Sequence, residues 1–283
     1  MINILKQIDE NNIQNPTFIF VDGSYYCFYR YFATIQWWNN AHPEIILEDP
    51  YENEIFVEKF KKTFLDNMLT IPKKLKLDKS KSVKPFIIVG KDCKRENIWR
   101  MNLFSKYKAN RENDSFKGKL FFKMVYEEEL FQKGGAQAIL KHPKLEADDC
   151  IALSVKYLTS IYPSCNIYII TSDKDYLQLS SDNVFLYNLS YKNLAESKGS
   201  TGNPKNDLEI KIIMGDTSDN IPSVFPKCGP KTSQKCIEEP DFFKKKMADN
   251  AEYYKQYELN KLLIKFDNIP LDLVNEFMDT IIK

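Results

Sequence analysis

Three carboxylates fall within four positions of the stretch LEADDC, Leu145 to Cys150: Glu146, Asp148 and Asp149, immediately ahead of the apolar run IALSVKYL. Glu146 and Asp149 are three apart, hence neighbours on one helical face, and Asp148 projects beside them. Acids suit a helix start, where each gains roughly 0.3 to 1 kcal/mol from the helix dipole. Two such charges about 4 Å apart nevertheless repel by about 4 kcal/mol at an effective dielectric of 20, more than the dipole returns. A divalent cation or a proton resolves the conflict, and oxygen-only ligands point to Mg²⁺ or Mn²⁺ rather than zinc. Histidine chemistry has little material, since His42 and His142 are the only two histidines. The six cysteines are scattered with no CxxC pair, which argues against a zinc site, a redox motif or a disulfide framework.

Other acids recur at one kind of place. The runs TFIFVD (Thr17 to Asp22), PFIIVGKD (Pro85 to Asp92) and NIYIITSDKD (Asn166 to Asp175) each read as a buried strand ending in a polar turn, with VFLYN (Val184 to Asn188) a weaker fourth. Helical stretches lie between them, including YYCFYRYFATIQWW after the first strand and the one in which Ile151, Val155 and Leu158 recur at helical spacing. Strands alternating with helices predict an α/β fold with a mostly parallel central sheet flanked by helices. Ligands of such sheets bind outside the carboxyl ends of the strands, so Asp22, Asp92, Asp173 and Asp175 are expected at one edge.

Asp216 and Asp219 in IMGDTSDNIP complete a set of nine carboxylates. That is more than one ion needs, whereas two ions roughly 3.5 to 4 Å apart clamp the attacking and leaving oxygens of a phosphoryl transfer. A net charge of +1 hides basic segments that suit a polyanionic substrate: nine Lys against two acids from Lys59 to Lys84, and ten basic residues against four acidic from Lys91 to Lys123. Lys73 to Lys84 reads as an exposed or mobile loop, and Asp114 to Gly135 as a movable helical insertion. No run is long and apolar enough to span a membrane, and MINILKQIDENN lacks the pattern of a signal peptide, so a cytoplasmic location is expected.

Asp22 in VDGSYYCFYR, then SKYKANR, EADD, TSDKD, GDTSDNIP and GPKT occur in the order of the 5′-nuclease superfamily, the flap endonucleases and 5′ to 3′ exonucleases. The chain resembles that superfamily from roughly Phe18 to Pro270, and within it the stand-alone bacteriophage enzymes, including those called RNase H. The resemblance implies a nuclease core over 1–190, with a helical arch about 100–135. It also implies a helical region over 191–283, with a helix-two-turn-helix about 208–238.

By the same resemblance, Asp22, Asp92, Glu146 and Asp148 hold the first of two Mg²⁺ ions, for which Mn²⁺ substitutes, with Asp148 between the two. Asp173, Asp175 and Asp216 hold the second, and Asp149 and Asp219 act close by through water. Lys108 and Arg111 match a basic pair that contacts the scissile phosphate, and Tyr107 matches an aromatic on which a terminal base stacks or, alternatively, packs in the core. Gly229, Lys231 and Thr232 match the part that grips the duplex backbone around a K⁺ ion.

The implied activity is Mg²⁺-dependent hydrolysis of phosphodiesters near the 5′ end of DNA or an RNA primer, in duplex, flap or RNA/DNA hybrid substrates. It would be carried out by a monomer working beside replication proteins such as a polymerase or a single-strand-binding protein. Two departures stand out: Asp92 lies in VGKDCKREN rather than after Phe, and Lys227-Cys228-Gly229 lacks the first glycine of the usual Gly-x-Gly. The rival readings are a branched-DNA-binding member of the same fold that cuts poorly, an unrelated Mg²⁺-dependent phosphatase, and a non-enzymatic scaffold.

Overall fold

The apolar run after Thr17 becomes the centre of the molecule. In the computed structural model, which describes residues 1–77, 84–111 and 116–282, it forms β1, Thr17–Asp22. Successive strand side chains point to opposite faces, and here both faces are buried: Phe18 and Phe20 enter one core, Ile19 and Val21 the other. β2 (Phe86–Gly90) and β3 (Ala138–Leu140) lie on one side of β1, β4 (Asn166–Ile170) and β5 (Val184–Tyr187) on the other, all parallel in the order β3-β2-β1-β4-β5. All four strands expected from the sequence are present. The unforeseen β3 has only three residues, too few for a periodic signal.

Helices cover both faces of the sheet. α1 (Ile2–Glu10), α7 (Ala147–Ile161) and α12 (Leu271–Ile282) close over Phe18 and Phe20, while α2 (Gly23–Ala41), α3 (Glu54–Lys74), α5 (Lys119–Glu127) and α6 (Leu130–Lys133) close over Ile19 and Val21. On α3, Phe56, Phe60, Phe64, Met68 and Ile71 recur every three or four residues and form one fully buried stripe. Phe121, Met124 and Val125 of α5 sit in that core, so from Lys119 onward the expected movable insertion is built into the wall of the domain. Its residues 114 and 115, with 112 and 113 before them, lie outside those described, as do 78–83 of the basic segment that follows α3.

Past β5 the chain is helical among the described residues. α4 (Arg100–Leu103) meets α11 (Ala251–Ile264), which packs on α8 (Pro204–Met214), followed along that region by α9 (Pro230–Glu238) and α10 (Pro240–Ala248). A small core of Ile98, Tyr107, Ile212, Ile221, Leu263 and Ile264 joins the stretch after β2 to these helices.

The strand order reverses between β1 and β4, which opens a crevice at their carboxyl ends. Gly90 closes the neighbouring strand there, in register with Asp22. A Cβ on Gly90 would lie 2.9 Å from the Ala147 carbonyl oxygen and 2.8 Å from Ile151 Cδ1, so the first turn of α7 rests directly on the end of β2. That contact brings the acids of LEADDC to the same edge as Asp22. Gly90→Ala is expected to cost about 1 to 3 kcal/mol in urea denaturation, the usual penalty of overpacking; unchanged stability would show that α7 is not seated so closely.

Candidate metal centre

Several of the acids are fixed by the backbone they cap. Asp22 Oδ1 accepts from Tyr25 N at 3.0 Å at the start of α2. Asp173 Oδ1 accepts from Asp175 N at 2.9 Å, and Asp216 Oδ1 from Ser218 N at 2.7 Å, each opening a 3₁₀ turn. Asp92 Oδ1 accepts from Ala147 N at 2.8 Å, tying the β2 loop to the first turn of α7, and Ser24 Oγ donates to its other oxygen. Capping thus explains one oxygen of each group and leaves most of its acceptor capacity open.

The nine carboxylates divide by what neutralises them. Arg100, 2% exposed, grips Asp149 with both guanidinium nitrogens at 2.7 and 2.8 Å, reaches Glu146 Oε2 at 3.0 Å and donates from Nε to the Leu263 carbonyl at 2.7 Å. Trp99 Nε1 adds a bond of 2.9 Å to Asp149, and the Glu146 backbone N–H another of 3.2 Å. Lys108 pairs with Glu146 and lies 3.7 Å from Asp219, which Arg111 also holds. Lys211 pairs with Asp175 and with Asp216, the latter at 2.8 Å. Among the described residues, no Lys, Arg or His pairs with Asp22, Asp92, Asp148 or Asp173.

Titration follows the same division. Burial, then the charge of Asp92, raises Asp22 to about 7. Burial, then Asp149 and Glu146, pushes Asp148 well above the usual carboxylate range. Burial also pushes Glu146 and Asp216 upward, but cations win in both: Lys108 and Arg100 pull Glu146 below its ordinary value, and Lys211 brings Asp216 to about 2. The buried hydroxyl of Tyr176 has no hydrogen-bond partner among the described residues. Asp22, Asp148, Asp173 and Asp92 are the charges that, after burial, raise it.

Among the described residues, two three-acid groups bring oxygens within 4.8 Å of one another: Glu146, Asp148 and Asp149, and Asp175, Asp216 and Asp219. Together with the unpaired aspartates they fit divalent cations, which carry the charge that the protein leaves uncompensated and accept an all-oxygen donor set. Within the first group both oxygens of Asp149 already accept from Arg100, and one of them also from Trp99.

Two expectations change. Tyr107 is 2% exposed and offers no face to a base; its hydroxyl lies 3.0 Å from both Glu146 and Asp219, so its one proton serves either acid. The crowding of LEADDC is also relieved in part by protein cations, not by metal or proton alone. Arg100 and Lys211 carried no signal in the sequence, where they are two among many basic residues.

The loops around the site are interlocked. Asn220 Nδ2 donates to the Lys106 carbonyl at 2.7 Å, Asn110 Nδ2 to Thr217 O at 2.7 Å and Lys108 N to Asp219 O at 2.8 Å, which binds KYKANR to GDTSDN. Lys227 takes φ 58°, the left-handed conformation that a glycine would adopt freely, so the turn before α9 keeps its bend without the missing glycine. Gly229 caps α9, and Lys231 and Thr232 fall in its first turn with Lys231 exposed. Between this turn, α8 and Asp173 lies a cavity of about 800 Å³.

Removing Arg100 leaves two buried carboxylates short of a cation. Arg100→Met should lower stability by about 3 to 5 kcal/mol in urea unfolding, and a loss below about 1 kcal/mol would contradict the bracing role. Asp22 gives a pH signature in EDTA. Its folded value near 7 exceeds the roughly 3.9 of an unfolded chain, so its contribution to stability is intact below the unfolded value and lost as pH rises through the folded one. Asp22→Asn should therefore be more stable than the parent at pH 8, by up to about 4 kcal/mol, and equal to it near pH 4. A difference independent of pH would contradict the raised value.

Residues 17–205 match the family model of the 5′-3′ exonuclease N-terminal, resolvase-like domain. The 5′-3′ exonuclease of Buchnera aphidicola subsp. Acyrthosiphon pisum is 29% identical over 229 residues, covering 79% of this chain and 70% of that protein. DNA polymerase I of Treponema pallidum is 34% identical over 137 residues, 46% of this chain and 13% of that one. The crystal structure of the bacteriophage T5 D15 protein with metal ions superposes with a TM-score of 0.62 over 94% of this chain and 98% of that one, at 17% identity, which establishes a common fold. The parallel five-stranded sheet, the acids at its carboxyl edge and the matched domain place the chain in the 5′-3′ exonuclease family of the 5′-nuclease superfamily.

Proposed function

We propose that this protein is a divalent-metal-dependent, structure-specific 5′-nuclease that hydrolyses phosphodiesters near the 5′ end of DNA or an RNA primer in duplex or flap substrates. The observation that carries the reading is the charge division at the crevice: among the described residues, four carboxylates have no paired cation, beside five that Arg100, Lys108, Arg111 and Lys211 hold. Asp22, Asp92, Asp148 and Asp173, with Glu146, whose oxygens Lys108 and Arg100 already engage, would hold Mg²⁺ or Mn²⁺, and Asp175, Asp216 and Asp219 a second ion, which moves Asp173 out of the second-ion set that the resemblance implies. Mg²⁺ bound there supplies charge to a phosphate oxygen and makes a bound water acidic.

The chain's own residues supply position and charge. Arg111, half exposed at its side chain and held by Asp219 and by the Ser218 carbonyl, stands at the rim where a scissile phosphate would arrive. Lys108 lies deeper, between Glu146 and Asp219, with its backbone in a left-handed turn fixed by Arg95, whose guanidinium donates to its carbonyl at 2.9 Å. Both would offset charge developing on the phosphate.

The first turn of α9 would offer the Lys231 backbone N–H and ammonium and the Thr232 hydroxyl to the duplex backbone, with Gly229 at its cap, and the bend at Lys227 keeps the path around which a K⁺ would sit. In this reading 1–190 is the nuclease core and 191–283 the duplex-holding region. Among the described residues no helix is long and apolar enough to cross a membrane. The T5 D15 flap endonuclease has been crystallised with DNA and metal ions, and the T5 5′-exonuclease with zinc, which supports the same classes of ligand here. A branched-DNA-binding member that cuts poorly would be expected to lack some acids, and none of the nine is missing.

Incubation with a 5′-labelled flap and a nicked duplex should give products with Mg²⁺ and none with EDTA. Binding without products in Mg²⁺ would sink the nuclease reading. Asp148→Ala should abolish cleavage while leaving urea stability in EDTA unchanged or raised, because it removes a charge that the protein leaves unpaired; activity near that of the parent would sink the assignment.

A further inference from the structure

The two acidic groups differ in what already stands in them. No cation pairs with Asp22, Asp92, Asp148 or Asp173 among the described residues, whereas the group of Asp175, Asp216 and Asp219 contains an ammonium. Lys211, in the last turn of α8, is 17% exposed at its side chain; its Nζ contacts Asp175 Oδ1 and lies 2.8 Å from Asp216 Oδ2. Asp175 and Asp216 are two of the three acids that each bring an oxygen within 4.8 Å of the others, so the ammonium stands among carboxylates that could share an ion. The third acid, Asp219, is held from the other side by Arg111 and Lys108.

We propose that Lys211 is a tethered occupant of the second ion's place, which holds Asp175 and Asp216 together in the metal-free protein and must leave before a divalent ion binds them. The inference deepens the two-ion reading and rests on it. A competitor on the same chain is present at high effective concentration, so it weakens the incoming ion without any change in the ligands. Its exit needs little else to move. The lysine stem is flexible, and Lys211 lines the cavity of about 800 Å³ toward α9, where its ammonium can be hydrated. The acid nearest that exit in sequence, Asp207, is already engaged by Ser200 and Thr201 and does not claim the lysine.

Two consequences follow for ion binding. The ions bind unequally: one to the unpaired acids at the ends of β1, β2 and β4 and the start of α7, the other against Lys211. Their order is then set by the protein before any substrate arrives.

Titration of the full chain with Mn²⁺ alone, followed calorimetrically and by the loss of the free Mn²⁺ signal in electron paramagnetic resonance, tests this without reference to activity. The parent should show one tighter and one weaker class. Lys211→Met should tighten the weaker class by at least about tenfold, since a unit charge within hydrogen-bond distance opposes a dication at any effective dielectric up to that of water. Lys211→Arg, which keeps the charge, should leave the weaker class weak. Equal or poorer Mn²⁺ binding in Lys211→Met, with its circular dichroism unchanged, would overturn the proposal and leave Lys211 a structural ion pair. Should Lys211→Met fail to fold, Lys211→Gln reads the same two outcomes. A parent that binds no Mn²⁺ would overturn the two-ion reading itself, and the role of Lys211 with it.

Discussion

Everything at the carboxyl edge depends on how a fixed set of like charges is shared with a few buried cations, and Arg100 is the first of these. A guanidinium that is 2% exposed is costly to desolvate, and it is tolerated because its donors meet both oxygens of Asp149, one of Glu146 and the Leu263 carbonyl. The same bonds join the first turn of α7 to α11, so the acids of LEADDC are held from the side away from the crevice. Their helix is thereby prevented from relaxing outward under its own repulsion.

What Arg100 and Lys108 do not reach defines the site. Glu146 ends up below its ordinary carboxylate range and Asp22 near 7, although both are enclosed, because the cations lie on the α7 side and not over β1. A uniformly compensated cluster would be more stable and would have no use for a divalent ion. The unpaired half lies at the strand reversal between β1 and β4, where an open parallel sheet leaves room for a ligand. The cost of that arrangement falls on the metal-free protein, and the stable double-sided core beneath the edge tolerates it.

Much of this was legible in the sequence, for physical reasons. Buried parallel strands such as Phe18 to Val21 are continuous apolar runs, so β1, β2, β4 and β5 and the acids at their ends declare themselves locally. Convergence then follows from topology. What stayed hidden depended on tertiary pairing. Nothing in WRMNL marks Arg100 as a buried clamp rather than a surface cation, and nothing in LEIKIIM marks Lys211 as lying among acids. For Tyr107 the sequence leaves base platform and core packing both open, because the burial of its ring depends on α8 and α11, far later in the chain. The absent glycine at Lys227 leaves the left-handed bend in place, at the conformational cost that such a bend carries for a residue with a Cβ.

The central claim is that Asp22, Asp92, Asp148 and Asp173 form the uncompensated half of the cluster and are where a divalent ion settles first. Anomalous diffraction from crystals of the protein soaked in a low concentration of Mn²⁺ addresses it directly. The charge division predicts the strongest peak among those four side chains, with the place held by Lys211 filling only at higher Mn²⁺. A first peak between Asp175 and Asp216, or none within ligand distance of Asp148, would contradict it.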